Sequence, residues 1–346
     1  MKRLSLCILM LLFIQSKCTF VSSSSSLNAF KLQYTDKEYT SQVGNVRINP
    51  VRALNTSPLN TVPLIQRQNY ELIFDLLSPD YQYLKMKIFH CDWNWIPSKL
   101  NDLEFLADYN EFTIDNYTFS QSNFSEYVTY KTIIPKLKLS GNYIIFVYED
   151  DSTAIPLFTR KFFVYENLTF IEANISIPNQ PKYSRTHQKI NLKINYMDLE
   201  TSNSQEDFKV VLIQNRDWNH ALITLPPTQF LPNEKTLIFN YFNNEMLFAG
   251  LNNFRFFDAR SISYRGQNVK AIQPSKRGLE LILEIDHPKR GLAFSQTLNT
   301  ELNGAFYTQN LDINTQNFNS EYVWINFRII MEKINGDVFI HGGFNN

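Results

Sequence analysis

The sequence predicts an all-β protein built of tandem immunoglobulin-like, early-set β-sandwich modules, the last of them apparently incomplete. Phe (28 residues) and Tyr (18) are abundant, and both favour half-buried strands over helices. Gly is scarce at 10 residues, against roughly 24 at the usual frequency. Apolar residues at period two recur in short runs, about 10–15 residues apart and punctuated by turn signals such as Ser140-Gly141-Asn142 and Asn335-Gly336-Asp337.

Taken along the chain, Leu84, Met86 and Ile88 mark a one-sided strand that runs into His90-Cys91-Asp92-Trp93. Pro97–Tyr109 carries Leu100, Leu103 and Leu106 at i, i+3 spacing and reads equally as a short helix or a loop hugging the sheet, since proline opens helices well. Lys189–Tyr196 alternates cleanly, with Ile190, Leu192, Ile194 and Tyr196 on one face. Leu279, Leu281, Leu283 and Ile285 repeat the pattern opposite Glu280, Glu284 and Asp286. Such alternation means one buried and one wet face, as in an antiparallel sheet. Tyr143–Tyr148, Val210–Ile213, Leu237–Phe242 and Tyr322–Met331 are apolar on both faces and are expected to be central strands covered on both sides.

Proline- and asparagine-rich breaks divide the chain into a leader at 1–26, a first sandwich at 27–165, a second at 166–290, and a linker with the start of a third at 291–346. The stretch from Asn167 to Tyr183, with Pro178 and Pro181, is both seam and first strand of the second unit. The final Val338–His341 strand is followed by a turn with no return partner, which reads as a module cut short.

Met1-Lys2-Arg3, the apolar run Leu4–Ile14 and the polar stretch through Ser22–Ser26 have the three-part layout of a secretory signal peptide. The run is too short to span a membrane core, which needs about 20 residues. Lys17 stands where a lipidated Cys18 would want a small residue, which argues against an anchor. The full chain holds 33 basic and 33 acidic residues with no run of like charge, and cleavage near residue 26 would leave it at a net charge of −3. That balance excludes the basic stripe of a nucleic-acid binder. Cleavage would also leave Cys91 as the one cysteine, so packing rather than disulfides must hold this exported protein. Between Phe89 and Trp93, Cys91 itself reads as a buried apolar thiol.

Chemistry is not legible. The five histidines (His90, His187, His220, His287, His341) are scattered, and His90 and Asp92 could share a metal but make no site alone. No nucleophile elbow, phosphate loop or His-Glu-x-x-His is present. Glu149-Asp150-Asp151 reads as a solvated turn. Trp93 and Trp95 would share one face on a strand, while Trp218 and Trp324 stand alone, and core filling is the default for each. Sequons at Asn55, Asn116, Asn123, Asn167 and Asn174 are near what an asparagine-rich chain supplies by chance. No catalytic residue, metal ligand or cofactor-binding residue is assigned, and the partner-binding residues stay unknown.

Several blocks in one order carry a resemblance: His90-Cys91-Asp92-Trp93-Asn94-Trp95-Ile96-Pro97-Ser98-Lys99-Leu100, Tyr117-Thr118-Phe119-Ser120, Tyr127-Val128-Thr129-Tyr130, Ser140-Gly141-Asn142-Tyr143 and Thr159-Arg160-Lys161-Phe162. Gln214-Asn215-Arg216-Asp217-Trp218, Phe254-Arg255-Phe256-Phe257-Asp258, Leu302-Asn303-Gly304 and Tyr322-Val323 continue it. Together, over about residues 45–346, the chain resembles the type IX secretion system plug protein family of Bacteroidetes. It departs from the family pattern at Leu302, where an aspartate is expected, and at Ala259 inside Asp258–Arg260. The resemblance implies a periplasmic, non-enzymatic subunit without a cofactor. Such a protein docks on the periplasmic opening of the outer-membrane translocon barrel and blocks it until a cargo-shuttling lipoprotein engages. It also implies a family that continues past this C-terminus. The competing expectation is a periplasmic or surface sandwich that binds carbohydrate or protein, because Phe339–Asn345 resembles the start of a glycogen-binding-like early-set domain.

Overall fold

The computed structural model describes residues 32–51, 61–65, 68–122, 124–150, 155–197, 199–201, 206–215, 217–223, 225–250, 254–287, 304–306, 309–312, 320–340 and 342. The leader expected at 1–26 with Cys7 and Cys18, the sequons Asn55 and Asn123, Asp151, Leu302-Asn303 and residues 343–346 lie outside them. The protein is all-β, its strands forming several sheets that are mostly antiparallel.

Two sheets face each other across the largest core. One has six strands: Lys37–Glu38, Pro156–Tyr165, Gly141–Glu149, Leu84–Cys91 and Phe112–Ile114 lie side by side, and Thr61–Pro63 adds in parallel to Pro156–Tyr165. The other has four, in the order Val43–Pro50, Tyr70–Leu76, Val128–Ile133, Asn116–Phe119. The pleat decides which side chains meet. Leu84, Met86 and Ile88 point from the six-stranded sheet into the same cluster as Leu72, Phe74, Leu76 and Tyr130 of the four-stranded one. Phe74 ties the layers, stacked on Tyr130 at 5.3 Å and edge-on to Phe158 at 5.0 Å.

Tyr143–Tyr148 is central, as its two-sided apolar pattern predicts. Tyr143, Ile145 and Val147 enter the shared core, while Ile144 faces outward with Cys91 under Trp95, Phe163 and Trp218. Pro97–Tyr109 resolves into one helical turn, Asp102–Phe105, opened by the Asn101 N–H donating to the Glu104 carboxylate at 2.6 Å and buried through Phe105.

Glu149 ends its strand, and Asp150 pairs with Lys85 at 2.8 Å. Lys85 also reaches Glu111 at 2.8 Å, and Lys87 reaches it at 3.3 Å. These bonds, Lys85 first and then the Tyr148 hydroxyl and Lys87, lower the Glu111 carboxyl from its usual 4.5 to about 2. A depressed carboxylate adds stability above its unfolded value and loses it as the pH falls through the folded one. The expected result is that Glu111→Gln shows a shallower loss of stability than the parent between about pH 4.5 and 2. Denaturant midpoints across that window check it.

The second group is a five-stranded sheet. Phe170–Ser176, His187–Asn195, Thr236–Phe239 and Gln229–Leu231 lie in that order, with Leu247–Ala249 also on His187–Asn195. The alternation of Lys189–Tyr196 is realised, with Leu192, Ile194 and Tyr196 in a core of their own. The expectation for Val210–Ile213 is corrected: only Val211–Leu212 is strand, paired with Leu222–Ile223 alone, so it is half-buried rather than central. Phe170–Ser176 lies at the sheet edge. Ile171, Ala173 and Ile175 sit opposite core residues Ile194, Leu192 and Ile190, yet this strand is exposed along nearly its whole length.

The third group is a three-stranded sheet of Val269–Ser275, Gly278–Asp286 and Val323–Ile329, the last pair parallel. This pairing joins segments on either side of the boundary placed at 290. Tyr322–Met331 is not a central strand, contrary to its apolar pattern. Among the described residues it pairs on one side only, so Val323 and Ile325 reach the core while Trp324, Phe327 and Ile329 face out. A register shift between Ile282 and Ile285 likewise takes Ile285 out of the alternation that buries Leu279, Leu281 and Leu283. Among the described residues no helix is long and apolar enough to cross a membrane.

Candidate interaction surface

Cys91, His90, Asp92 and His220 are each accounted for locally. Cys91 is buried and free of disulfides, and burial pushes its thiol up to about 12, which makes it inert. Its neighbours diverge because the strand ends at Cys91 and Asp92 already belongs to the turn that follows. His90 packs on Tyr143 at 5.0 Å and Phe105 at 5.9 Å, and burial lowers its pKa. The Asp92 carboxylate instead accepts the backbone N–H groups of Asn94 (2.8 Å) and Ile96 (2.9 Å), so the two share no site. His220 pairs with Asp217 at 2.6 Å on an open surface. Among the described residues no group of three His, Cys, Asp or Glu converges for a metal.

The tryptophans depart from expectation. Trp93 and Trp95 do not share a strand face, because Asp92–Ile96 is a tight turn with Trp95 at φ +64°, which buries Trp95 and exposes Trp93. Trp218 does not stand alone. It meets Trp95 edge-on at 5.5 Å and stacks on Phe163 at 5.7 Å, and the Lys161 ammonium lies 4.5 Å from the Trp95 ring and 4.9 Å from that of Trp218. Burial lowers the Lys161 pKa. This cluster covers the outer face of the six-stranded sheet and is spent on internal packing.

What stays open is a row of aromatic rings on the first sandwich. Tyr83, the most exposed at 69%, meets Tyr81 edge-on at 5.1 Å. Tyr81 stacks on Tyr117 at 5.0 Å and 5°, and Tyr117 meets Phe119 edge-on at 5.6 Å. The hydrogen bond with Tyr83 is the first cause that raises Tyr81 to about 12, so the Tyr81 phenol stays neutral at physiological pH. The row is held from beneath. Tyr117 leans on buried Tyr130 at 6.3 Å, whose hydroxyl accepts the Gln82 N–H at 2.6 Å and donates to the Gln82 carbonyl at 3.2 Å. That clip fixes the loop carrying Tyr81 and Tyr83 against Asn116–Phe119, the edge strand of its sheet. Pre-ordered, exposed tyrosines offer large amphipathic contact area at small entropic cost, the profile of a protein-binding hot spot. The sequence reading did not single out these residues as a surface. Their signal is two aromatic i, i+2 pairs, Tyr81 and Tyr83 just after Ser78-Pro79-Asp80, and Tyr117 and Phe119 in Asn116–Phe119.

Fold and surface together define an all-β protein of packed sheets that carries an exposed aromatic row on its first sandwich. Residues 43–166 match the family model of the type 9 secretion system plug protein 1st domain. The match spans the two-sheet sandwich and holds the blocks from His90 to Phe162 that carry the resemblance. The crystal structure of a hypothetical protein from Parabacteroides merdae superimposes with a TM-score of 0.79 at 22% identity, covering 88% of this chain and 76% of that one. At that identity the likeness establishes a shared fold. No curated protein matches the sequence.

Proposed function

We propose that the protein is a non-enzymatic subunit of the periplasm that binds and plugs the periplasmic opening of the outer-membrane type IX protein translocon. Its direct partner is the translocon barrel, and its indirect partner the cargo-shuttling lipoprotein. The observation that carries the reading is the match of residues 43–166 to the plug protein first domain. The physical demands agree with it. A plug must be stiff and must present a contact face that water can reclaim on release, and cross-braced sheets with a tyrosine row on one sandwich meet both demands. The alternative, a carbohydrate platform, is disfavoured by the row itself, because Tyr81 and Tyr117 cover one face of each other's rings.

Co-purification of the mature protein with the translocon barrel tests the reading. The parent is expected to be retained, whereas Tyr83→Ala and Tyr117→Ala each weaken retention by about 30-fold, the size of a hot-spot truncation of about 2 kcal/mol. No retention of the parent, together with saturable binding on a glycan array, would replace the plug with the carbohydrate reading.

A further inference from the structure

Residues Ser320–Tyr322, just before the strand Val323–Ile329, leave the three-stranded sheet and lie on the first sandwich. Tyr322 donates its hydroxyl to Asp75 Oδ2 at 2.7 Å, across 247 residues of chain. Asp75 is 4% exposed and also accepts Asn45 Nδ2 at 3.0 Å and Thr129 Oγ1 at 2.6 Å. The Tyr322 ring occupies a notch over Gly44, where an added Cβ would sit 2.6 Å from its hydroxyl oxygen. The notch has a structural origin. The pairing of Val43–Pro50 with Tyr70–Leu76 slips between Gly44 and Arg47, with Asn45 at φ +53°, and the slip opens the strand beneath the ring.

The flanking residues are held as firmly. Tyr127 meets the Tyr322 ring edge-on at 5.1 Å and donates its hydroxyl to the Ser320 carbonyl at 2.8 Å. Ser125 Oγ donates to the Tyr322 carbonyl at 3.0 Å. The Glu321 carboxylate accepts the Phe124 N–H at 3.2 Å and the Ser122 hydroxyl. The hydrophobic clusters of the two bodies are nevertheless distinct: Leu72, Phe74 and their neighbours in one, Val269, Leu281 and Leu283 in the other. Each sheet group thus has apolar burial of its own, and the contact through this segment is made mostly of hydrogen bonds, with one edge-on ring pair between Tyr127 and Tyr322.

We propose that Ser320–Tyr322 is a strap, keyed into the Gly44 notch, that latches the three-stranded sheet to the first sandwich and can open while both bodies stay folded. Hydrogen bonds to polar groups are exchanged for water on opening at modest net cost, whereas an apolar seam would open only with unfolding. The strap is independent of the plug reading.

Hydrogen exchange on the full chain tests it, comparing the parent with Tyr322→Phe, which keeps the ring and removes one bond, and Gly44→Val, which fills the notch. Tyr322→Phe is expected to lower protection of amides in 320–329 by roughly five- to tenfold, the worth of one net hydrogen bond. Gly44→Val is expected to lower it further. The strands Leu84–Cys91 and Gly141–Glu149 should keep their protection in both variants. Protection unchanged in 320–329 in both variants would overturn the strap. So would an equal fall across 320–329, 84–91 and 141–149 in Tyr322→Phe, because the two bodies would then open as one.

Discussion

Phe74→Ala is expected to destabilise the first sandwich by about 3–5 kcal/mol, the range for a fully buried aromatic truncated in a packed core. Phe74 has no exposed surface, and its ring is clamped between Tyr130 on its own sheet and Phe158 on the facing one. Truncation removes transfer free energy and both ring contacts, and the two sheets cannot close the gap because their backbone ladders fix the spacing. Denaturant unfolding followed by the signal of the first sandwich measures the loss. A cost below about 1 kcal/mol would mean that the sheets do collapse onto the void.

Asp75→Ala is expected to cost a comparable amount, about 3–5 kcal/mol, by a different route. The carboxylate is the common acceptor for Asn45, Thr129 and Tyr322, and the nearby Arg47 has its pKa lowered by burial and raised back by Asp75. Removing the carboxylate deprives one buried donor and two half-buried ones of their acceptor and takes away the charge that opposes the guanidinium. The effect therefore reaches both the four-stranded sheet and the strap, unlike Tyr322→Phe. Thermal unfolding should show a lower midpoint, with loss of exchange protection in both Tyr70–Leu76 and 320–329. Asp75→Asn retains two acceptor lone pairs and is expected to recover part of the loss.

The fold class was legible because period-two burial leaves a local signature: Leu84-x-Met86-x-Ile88 and Ile190-x-Leu192-x-Ile194 are oriented by the pleat as their spacing requires. The centrality of Tyr143–Tyr148 was legible because its run is apolar on both faces and both are covered. Tyr322–Met331 misled because apolar character on both faces does not say whether a second strand arrives to cover it. The tryptophans misled through one backbone angle, since Trp95 turns out of the strand and meets Trp218. The blocks from His90 to Phe162 were legible as a family resemblance and lie within residues 43–166, which match the plug protein first domain. The aromatic row and the strap were not, because both depend on which distant segments the sheets bring together. Nothing in Ser320-Glu321-Tyr322 announces an aspartate 247 positions earlier.

That separation dictates an order of assembly. The strands of the two facing sheets all fall between Lys37 and Tyr165, so they can pair before the later chain is available. The tyrosine key must then be brought home across a very long loop, a late and slow closure. Newly made molecules thus pass through a stage in which the groove over Gly44 is vacant and its aspartate is wet.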